Sequence, residues 1–297
     1  MECSLVATFT NKTKLNPFWV TGFSDGDSSF TTILSRDFKR LTLSFEISLH
    51  SKDVAILYKI KDFFSCGNVS TRHKLKRSTY RVTNLYHIQN IIIPHFKLYP
   101  LCTHKQLDFK LWEKIAIIMS TIQDRTPNLI ENVIPYIAAM NKGLADKQKL
   151  KFPNVKVAKR GTYVLPDIIN PYWMSGFVAA EGCFYLLLRD SGQFTHIFSV
   201  TQDHRDLELF EKFNQFFNCG KTYHRPKSTR CDFMVQNRTH IKDIIIPFFI
   251  KYPLVNIKSL DFEDFSKAMA FYGQPGWKEY VKLIINRMNS KRIIPEN

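Results

Sequence analysis

Two similar α+β domains in tandem are what this 297-residue sequence predicts. Three observations carry the prediction. Whole segments recur in order along the chain. Helical and alternating strand patterns follow one another identically in both copies. And 25 Phe with 12 Tyr can fill two cores, which rules out disorder as the main state. At about 100–200 residues per domain, the length suits two units.

The repeat is explicit. Asn16-Pro17-Phe18-Trp19 returns as Asn170-Pro171-Tyr172-Trp173, and Gly22-Phe23 as Gly176-Phe177. Asp27 meets Glu181, and Phe30 meets Phe184. Later segments return one residue closer: Phe63-Phe64-Ser65-Cys66-Gly67 as Phe216-Phe217-Asn218-Cys219-Gly220, Ile91-Ile92-Ile93-Pro94 as Ile244-Ile245-Ile246-Pro247, and Tyr99-Pro100-Leu101 as Tyr252-Pro253-Leu254. Lys105 then meets Lys258, and Asp108 meets Asp261. One residue is therefore lost between Phe184 and Phe198, where a hairpin tip around Asp190–Gln193 would tolerate it. The domains are read as 1–141 and 167–297, related by a pseudo-twofold. Lys142–Pro166 matches nothing in the other copy; it is the linker, helical at its start.

Each copy reads αββαββα. Asn16 is a fitting N-cap and Pro17 suits the first helical turn of a helix ending near Gly26. Phe30–Asp37 and Leu41–Leu49 form a hairpin. In its second strand Leu41, Leu43, Phe45, Ile47 and Leu49 alternate with Thr42, Ser44, Glu46 and Ser48, so one face is core and the other polar. Lys52–Phe64 has helical spacing. Asn68–Lys74 and Thr79–Thr83 form a second hairpin. Ile88–Phe96 is a short helix ending near Pro94, and His104–Thr121 is a longer one. The second copy repeats this order from Asn170.

Lys plus Arg number 42 against 26 Asp plus Glu, a net charge of +16. A folded, aromatic-rich chain this basic suits a polyanionic partner; a membrane surface or a ribosome would also suit it. No apolar run reaches the roughly 18 residues of a membrane span, and no signal peptide or cleavable organelle-targeting segment is evident. The six cysteines form no Cys-x-x-Cys pair and the histidines have no metal spacing, which argues for reduced, buried thiols and against zinc sites. No Gly-x-x-x-x-Gly-Lys loop exists, so ATP use is not expected.

Gly22 and Gly176 lie within their helices at the same place. Glycine costs about 1 kcal/mol there relative to alanine, and its physical use is close approach by another backbone. If these helices pack on each other, they form the domain interface, and each ends beside an acid, Asp27 or Glu181. A carboxylate at a helix C-terminus is unfavourable, and two side by side are worse. A divalent cation resolves this: carboxylate and carbonyl oxygens are hard ligands suited to Mg²⁺, with water and phosphate oxygens completing the shell.

The polar strand faces form a platform for a duplex, whose major groove admits a β-ribbon. Candidate base readers in the first copy are Ser35, Thr42, Ser44, Glu46, Ser48, Arg72, Lys76, Thr79, Arg81 and Thr83. In the second they are Arg189, Thr195, Ser199, Thr201, Tyr223, Arg225, Arg230, Asp232 and Gln236. Lys74 and Lys227 suit phosphates, which position a duplex without reading it.

At Val20-Thr21-Gly22-Phe23-Ser24-Asp25-Gly26-Asp27-Ser28 and Met174-Ser175-Gly176-Phe177-Val178-Ala179-Ala180-Glu181-Gly182, the sequence resembles the LAGLIDADG homing endonucleases in their single-chain, two-motif form. The resemblance spans about Leu15 to Ala270. Val178-Ala179-Ala180 departs from the family's usual acid before the catalytic one, at a position that is not the metal ligand. The resemblance implies a saddle-shaped antiparallel sheet platform with the motif helices at the domain interface, and a monomer. It implies Mg²⁺-dependent cleavage of both DNA strands with short 3′ overhangs, Ca²⁺ supporting binding without cleavage. Asp27 and Glu181 match its metal-binding acids, and Gly26 and Ala180 the carbonyls that help hold metal. Gln202 matches its polar residue at the end of the second strand, where the first copy has Leu49; Lys105 and Lys258 are candidates for its basic role. Two half-sites of about one helical turn each suggest a target of roughly 20 base pairs, pseudo-palindromic at most. By analogy the compartment is an organelle such as the mitochondrion. Some members of the family act instead as intron RNA maturases, and a catalytically inactive DNA binder is a further alternative. Intact acids in both motifs favour the nuclease.

Overall fold

The computed structural model describes residues 14–122, 127–189 and 193–293. Asn16 caps α1 (Pro17–Asp27): its side chain accepts from the Phe18 N–H at 2.9 Å, and Pro17 needs no helical partner. β1 (Ser28–Leu34) pairs antiparallel with β2 (Leu41–His50). β1 starts and stops earlier than the apolar run suggests, because Ser35 already forms the turn, its side chain binding Asp37 and the Arg40 N–H. After α2 (Val54–Phe64), β3 (Asn68–Arg72) and β4 (Arg77–Val82) complete a sheet of order β1-β2-β4-β3.

The segment expected to end at Pro94 does not. It runs as α3 (Leu85–His87), a π-helical stretch Ile88–Ile92 and α4 (Ile93–Leu98). Pro94 lacks an N–H to give back along the helix, and the turn before it widens so that the Ile93 N–H reaches the Ile88 carbonyl. α5 (Lys105–Thr121) follows, then a helix without a sequence expectation, α6 (Pro127–Ala139), and a short α7 (Asp146–Lys151) at the head of the connecting segment.

The second half repeats the plan: α8 (Pro171–Glu181), β5 (Gly182–Leu188), β6 (Phe194–Asp203), α9 (Leu207–Phe217), β7 (Lys221–His224), β8 (Arg230–Val235), α10 (Arg238–His240), π-helical Ile241–Ile245, α11 (Ile246–Lys251), α12 (Lys258–Ala270) and α13 (Trp277–Ile285). Its sheet order, β5-β6-β8-β7, matches the first. The tip suggested for the lost residue, 190–192, lies outside the described residues.

The repeat extends past the segments legible in the sequence. Asn141 and Asn289 both adopt positive φ, donate a backbone N–H to the buried Asp108 or Asp261, and donate their side-chain amides to the Phe30 or Phe184 carbonyl. Arg160 and Arg292 pair with the same two aspartates. The duplicated aspartates thus anchor whatever follows α5 and α12 onto the first strand of their own sheet.

Aromatic rings fill the space between each sheet and its helices. Phe30 and Phe184 are central, with Phe45, Phe96, Phe109 and Trp112 around one and Phe198, Phe249, Phe262 and Phe265 around the other. The halves meet through α1 and α8. A Cβ at Gly22 would overlap the Trp173 carbonyl, and one at Gly176 the Trp19 carbonyl. Only glycine permits this backbone-to-backbone approach.

Candidate active site and nucleic-acid interface

Because α1 and α8 pack along their lengths, their C-terminal ends arrive together. A Cβ at Gly26 would strike the Ala180 and Glu181 side chains. Asp27 and Glu181 therefore share one half-buried pocket between the halves. Burial, then the neighbouring Glu181 carboxylate, push the Asp27 carboxyl up to about 6. Burial raises Glu181 also, against the pull of Lys105, Lys258, Arg230 and a hydrogen bond from Gln202.

The two lysines are not solvated helix residues. Lys105 Nζ donates to the carbonyls of Ser24 (2.8 Å), Gly26 (3.0 Å) and Ser28 (2.5 Å). Lys258 Nζ donates to those of Val178 (3.1 Å) and Ala180 (2.9 Å). Each ammonium thus closes the negative end of its own motif helix. Burial lowers both lysines below their ordinary range, and the surrounding carboxylates oppose it.

Asp25 explains the departure at Ala179. Its buried carboxylate accepts from the N–H groups of Cys102 and Thr103, the Thr103 hydroxyl and Trp173 Nε1. Burial nevertheless lifts it to about 6. In the second half Asn256 replaces Thr103, and its amide donates to the Ala179 carbonyl at 2.8 Å. The departure substitutes one helix tether for another and leaves Glu181 in place. It also leaves Trp19 Nε1 and Asn256 Oδ1 buried without partners.

The donor set fits a hard divalent cation. Two mutually repelling carboxylates and the carbonyls of residues 26 and 180 are all oxygen, and each carbonyl keeps a second lone pair beside its lysine. Among the described residues no group of three or more His, Cys, Asp or Glu side chains is placed to hold a metal ion. The remaining ligands would be water or substrate oxygens.

The sheets' outer faces flank this pocket. On the first, Asp27, Ser29, Glu46, Ser48, Ser70, Arg72, Leu75, Arg77, Thr79 and Arg81 line one depression. Arg81 pairs with Glu46 at 2.7 Å across β2 and β4, and Ser48 bonds Thr79. Thr42 has the parity of Glu46 and Ser48 on β2, Thr83 follows directly after β4, and Lys76 lies in the turn before it; Thr83 and Lys76 are exposed. Arg77 and Ser70 were absent from the sequence expectation, although Arg77 alternates with Thr79 and Arg81 and the signal was available. On the second sheet Arg225 binds Asp232 and Thr201, Arg189 binds Thr195, and Tyr223 and Arg230 are exposed. Lys74 and Lys227 project from the β3–β4 and β7–β8 turns, and Gln236 lies just beyond β8.

Three expected readers need correction. Ser44 is wholly buried with its hydroxyl unpartnered, and Ser199 is also buried. Both have the outward parity; Ser44 lies opposite Thr31 of β1, and Ser199 lies between Cys183 of β5 and Met234 of β8. Asp232 is buried under Arg225, so it orients that arginine and does not face a base itself.

Two packed four-stranded sheets, joined by twin helices that deliver an acid each, define a class of two-domain, pseudo-symmetric proteins with a single composite site. The chain belongs to the LAGLIDADG endonuclease family: that family's model matches residues 20–116 and 174–269, one repeat per half. It is 29% identical over 275 residues to probable intron-encoded endonuclease 3 of Neurospora crassa, covering 88% of this chain and 51% of that protein. The chain thus spans about half the length of that relative. Among solved structures, the LAGLIDADG homing endonuclease I-GzeII in complex with its DNA target superposes with a TM-score of 0.89 at 31% identity, covering 94% of this chain and all of that one. I-SmaMI bound to uncleaved DNA in the presence of calcium ions does so at 0.87 and 27%, covering 93% and 99%. These likenesses bear out the α+β, two-repeat architecture read from the sequence. No helix among the described residues is long and apolar enough to cross a membrane.

Proposed function

We propose that this chain is a site-specific, intron-encoded DNA endonuclease that acts as a monomer and makes a double-strand break with short 3′ overhangs in a target of roughly 20 base pairs. One observation carries the reading: Asp27 and Glu181 converge at the ends of two tightly packed helices, each beside a buried lysine, between two polar sheet faces. Asp27, Glu181 and the carbonyls of Gly26 and Ala180 would hold Mg²⁺, which when bound supplies Lewis acidity toward the scissile phosphates. Lys105 and Lys258 stand at the same carbonyls and bring fixed positive charge to where a phosphodiester gains negative charge. Gln202 lies close enough to Glu181 to lower its carboxyl and would orient it; Leu49 offers no such group in the first half, so the two strands should be cut at unequal rates. The arginines and polar side chains of the outer sheet faces read the duplex, and Lys74 and Lys227 hold its phosphates. By analogy with the family we place it in an organelle such as the mitochondrion.

The test is cleavage of an intron-insertion-site DNA library with Mg²⁺ and with Ca²⁺. Discrete breaks at one long site in Mg²⁺, and binding alone in Ca²⁺, are expected. Glu181→Gln should abolish double-strand cleavage and leave binding within a few-fold. Full cleavage by that variant would remove Glu181 from the site, whereas tight binding without cutting by the wild type in either ion would turn attention to intron RNA.

A further inference from the structure

Lys105 and Lys258 each occupy the first helical residue of α5 or α12, directly after His104 or Ile257. What fixes those helix starts comes from the other half of the molecule. Asp206, at the head of α9, accepts the His104 N–H at 2.8 Å and contacts His104 Nδ1 at 2.9 Å. Its carboxylate is 3% exposed. Asp53, which occupies the corresponding place at the head of α2, lies beside the Ile257 N–H in a looser contact. A carboxylate at a helix N-terminus satisfies an N–H that no helical carbonyl can reach, and it lies at the favourable end of the dipole.

We infer that Asp206 and Asp53 are positioning residues acting across the domain interface: the second half's aspartate sets the first half's active-site lysine, and the reverse. This rests on the proposed role of the lysines. The two contacts are unequal. Asp206 has an imidazole as well as an N–H, and that imidazole stacks on Tyr163 of the connecting segment with ring centroids 3.8 Å apart. Tyr163 in turn donates to the Cys102 carbonyl at 2.7 Å. Asp53 has no such support, and its Oδ1 is buried without a partner. The first half's lysine is therefore the more firmly held, and each half's chemistry depends on correct docking of the other.

The test measures nicking of each strand separately on a plasmid or an end-labelled duplex, with duplex affinity measured in Ca²⁺. Lys105→Met identifies the strand that depends on Lys105. Asp206→Ala should slow that same strand at least tenfold in kcat, with affinity within about twofold, so that nicked product accumulates. Asp206→Asn keeps an amide oxygen facing the N–H and should recover most of the rate. In the Lys105→Met background, Asp206→Ala should slow that strand no further. Equal slowing of both strands, loss of affinity alongside rate, or additive effects in the double variant would each overturn the inference. If Asp206→Ala does not fold by circular dichroism, Asp53→Ala replaces it and should slow the strand that depends on Lys258. If the wild type does not cut, or Lys105→Met cuts normally, the proposed function fails instead, and those controls separate the two.

Discussion

At the scale of single residues, the molecule depends on small groups that admit close approach and on buried groups that must be satisfied. Gly22 is the clearest case, because an added methyl would overlap the backbone carbonyl of Trp173, which cannot rotate away. Gly22→Ala should destabilise by about 3 kcal/mol, at the high end of overpacking costs, since the whole of α8 would have to shift. Urea titration of the wild type and the variant checks this. Asp25 illustrates the other kind. Removing its carboxylate strands two backbone N–H groups, a hydroxyl and the Trp173 indole in a buried site. Asp25→Ala should therefore cost about 3–5 kcal/mol, comparable to breaking a buried charge network, with a lowered thermal midpoint as the readout.

At the scale of elements, a buried histidine sits under each sheet. His95 meets the Thr21 hydroxyl at 3.1 Å and lies among Phe63, Phe64 and Phe96, and His196 packs on Phe265. Burial depresses both to about 4. An unfolded histidine protonates near 6.5, so between pH 6.5 and 4 the unfolded chain takes up a proton that the folded chain refuses. Stability is unaffected above pH 6.5, declines as pH falls through that window and levels off below 4. The loss is up to about 3 kcal/mol per histidine. Replacing either with Gln should flatten the fall in thermal midpoint between pH 7 and 4; an unchanged slope would mean that the ring is protonated in the folded state. The repeated elements were legible in the sequence because they recur nearly verbatim: the caps at Asn16 and Asn170, the glycines, the alternation in β2. The helices α6 and α13 were not. Their sequences diverge between the copies, and what they share is an asparagine at positive φ tied to a buried aspartate, a tertiary link that no periodicity reveals. The π-helical stretches were hidden too, since a proline reads as a helix end unless the widened turn before it is known. In the site, the acids and lysines stood out by repetition. The burial of Ser44 and Ser199 did not, because alternation reports parity and not how deeply a position is covered.

At the scale of the whole molecule, a net charge of +16 must divide between holding a polyanion anywhere and holding it at one sequence. The ion pairs separate these tasks. Arg81 is paired with Glu46 and Arg225 with Asp232, so their charge is already offset and their planes are fixed on the sheet face. Such an arginine releases few counterions on binding, but it presents donors in one orientation, which suits reading a base edge. Lys74 stands exposed in the β3–β4 turn on a flexible stem, which suits a phosphate. Binding of the duplex should weaken linearly in log–log coordinates as salt rises, with a slope near 0.9 per phosphate neutralised. Lys74→Ala should reduce that slope by about 1 and weaken all sequences alike. Arg81→Ala should leave the slope nearly unchanged and instead narrow the gap between the target and single-base variants by about 1–3 kcal/mol at one position. Equilibrium binding across 50–300 mM salt, on target and mismatched duplexes, distinguishes the two. If Arg81→Ala changed the slope and left discrimination intact, the pairing with Glu46 would have to break on binding, and the arginine would belong with the phosphate contacts.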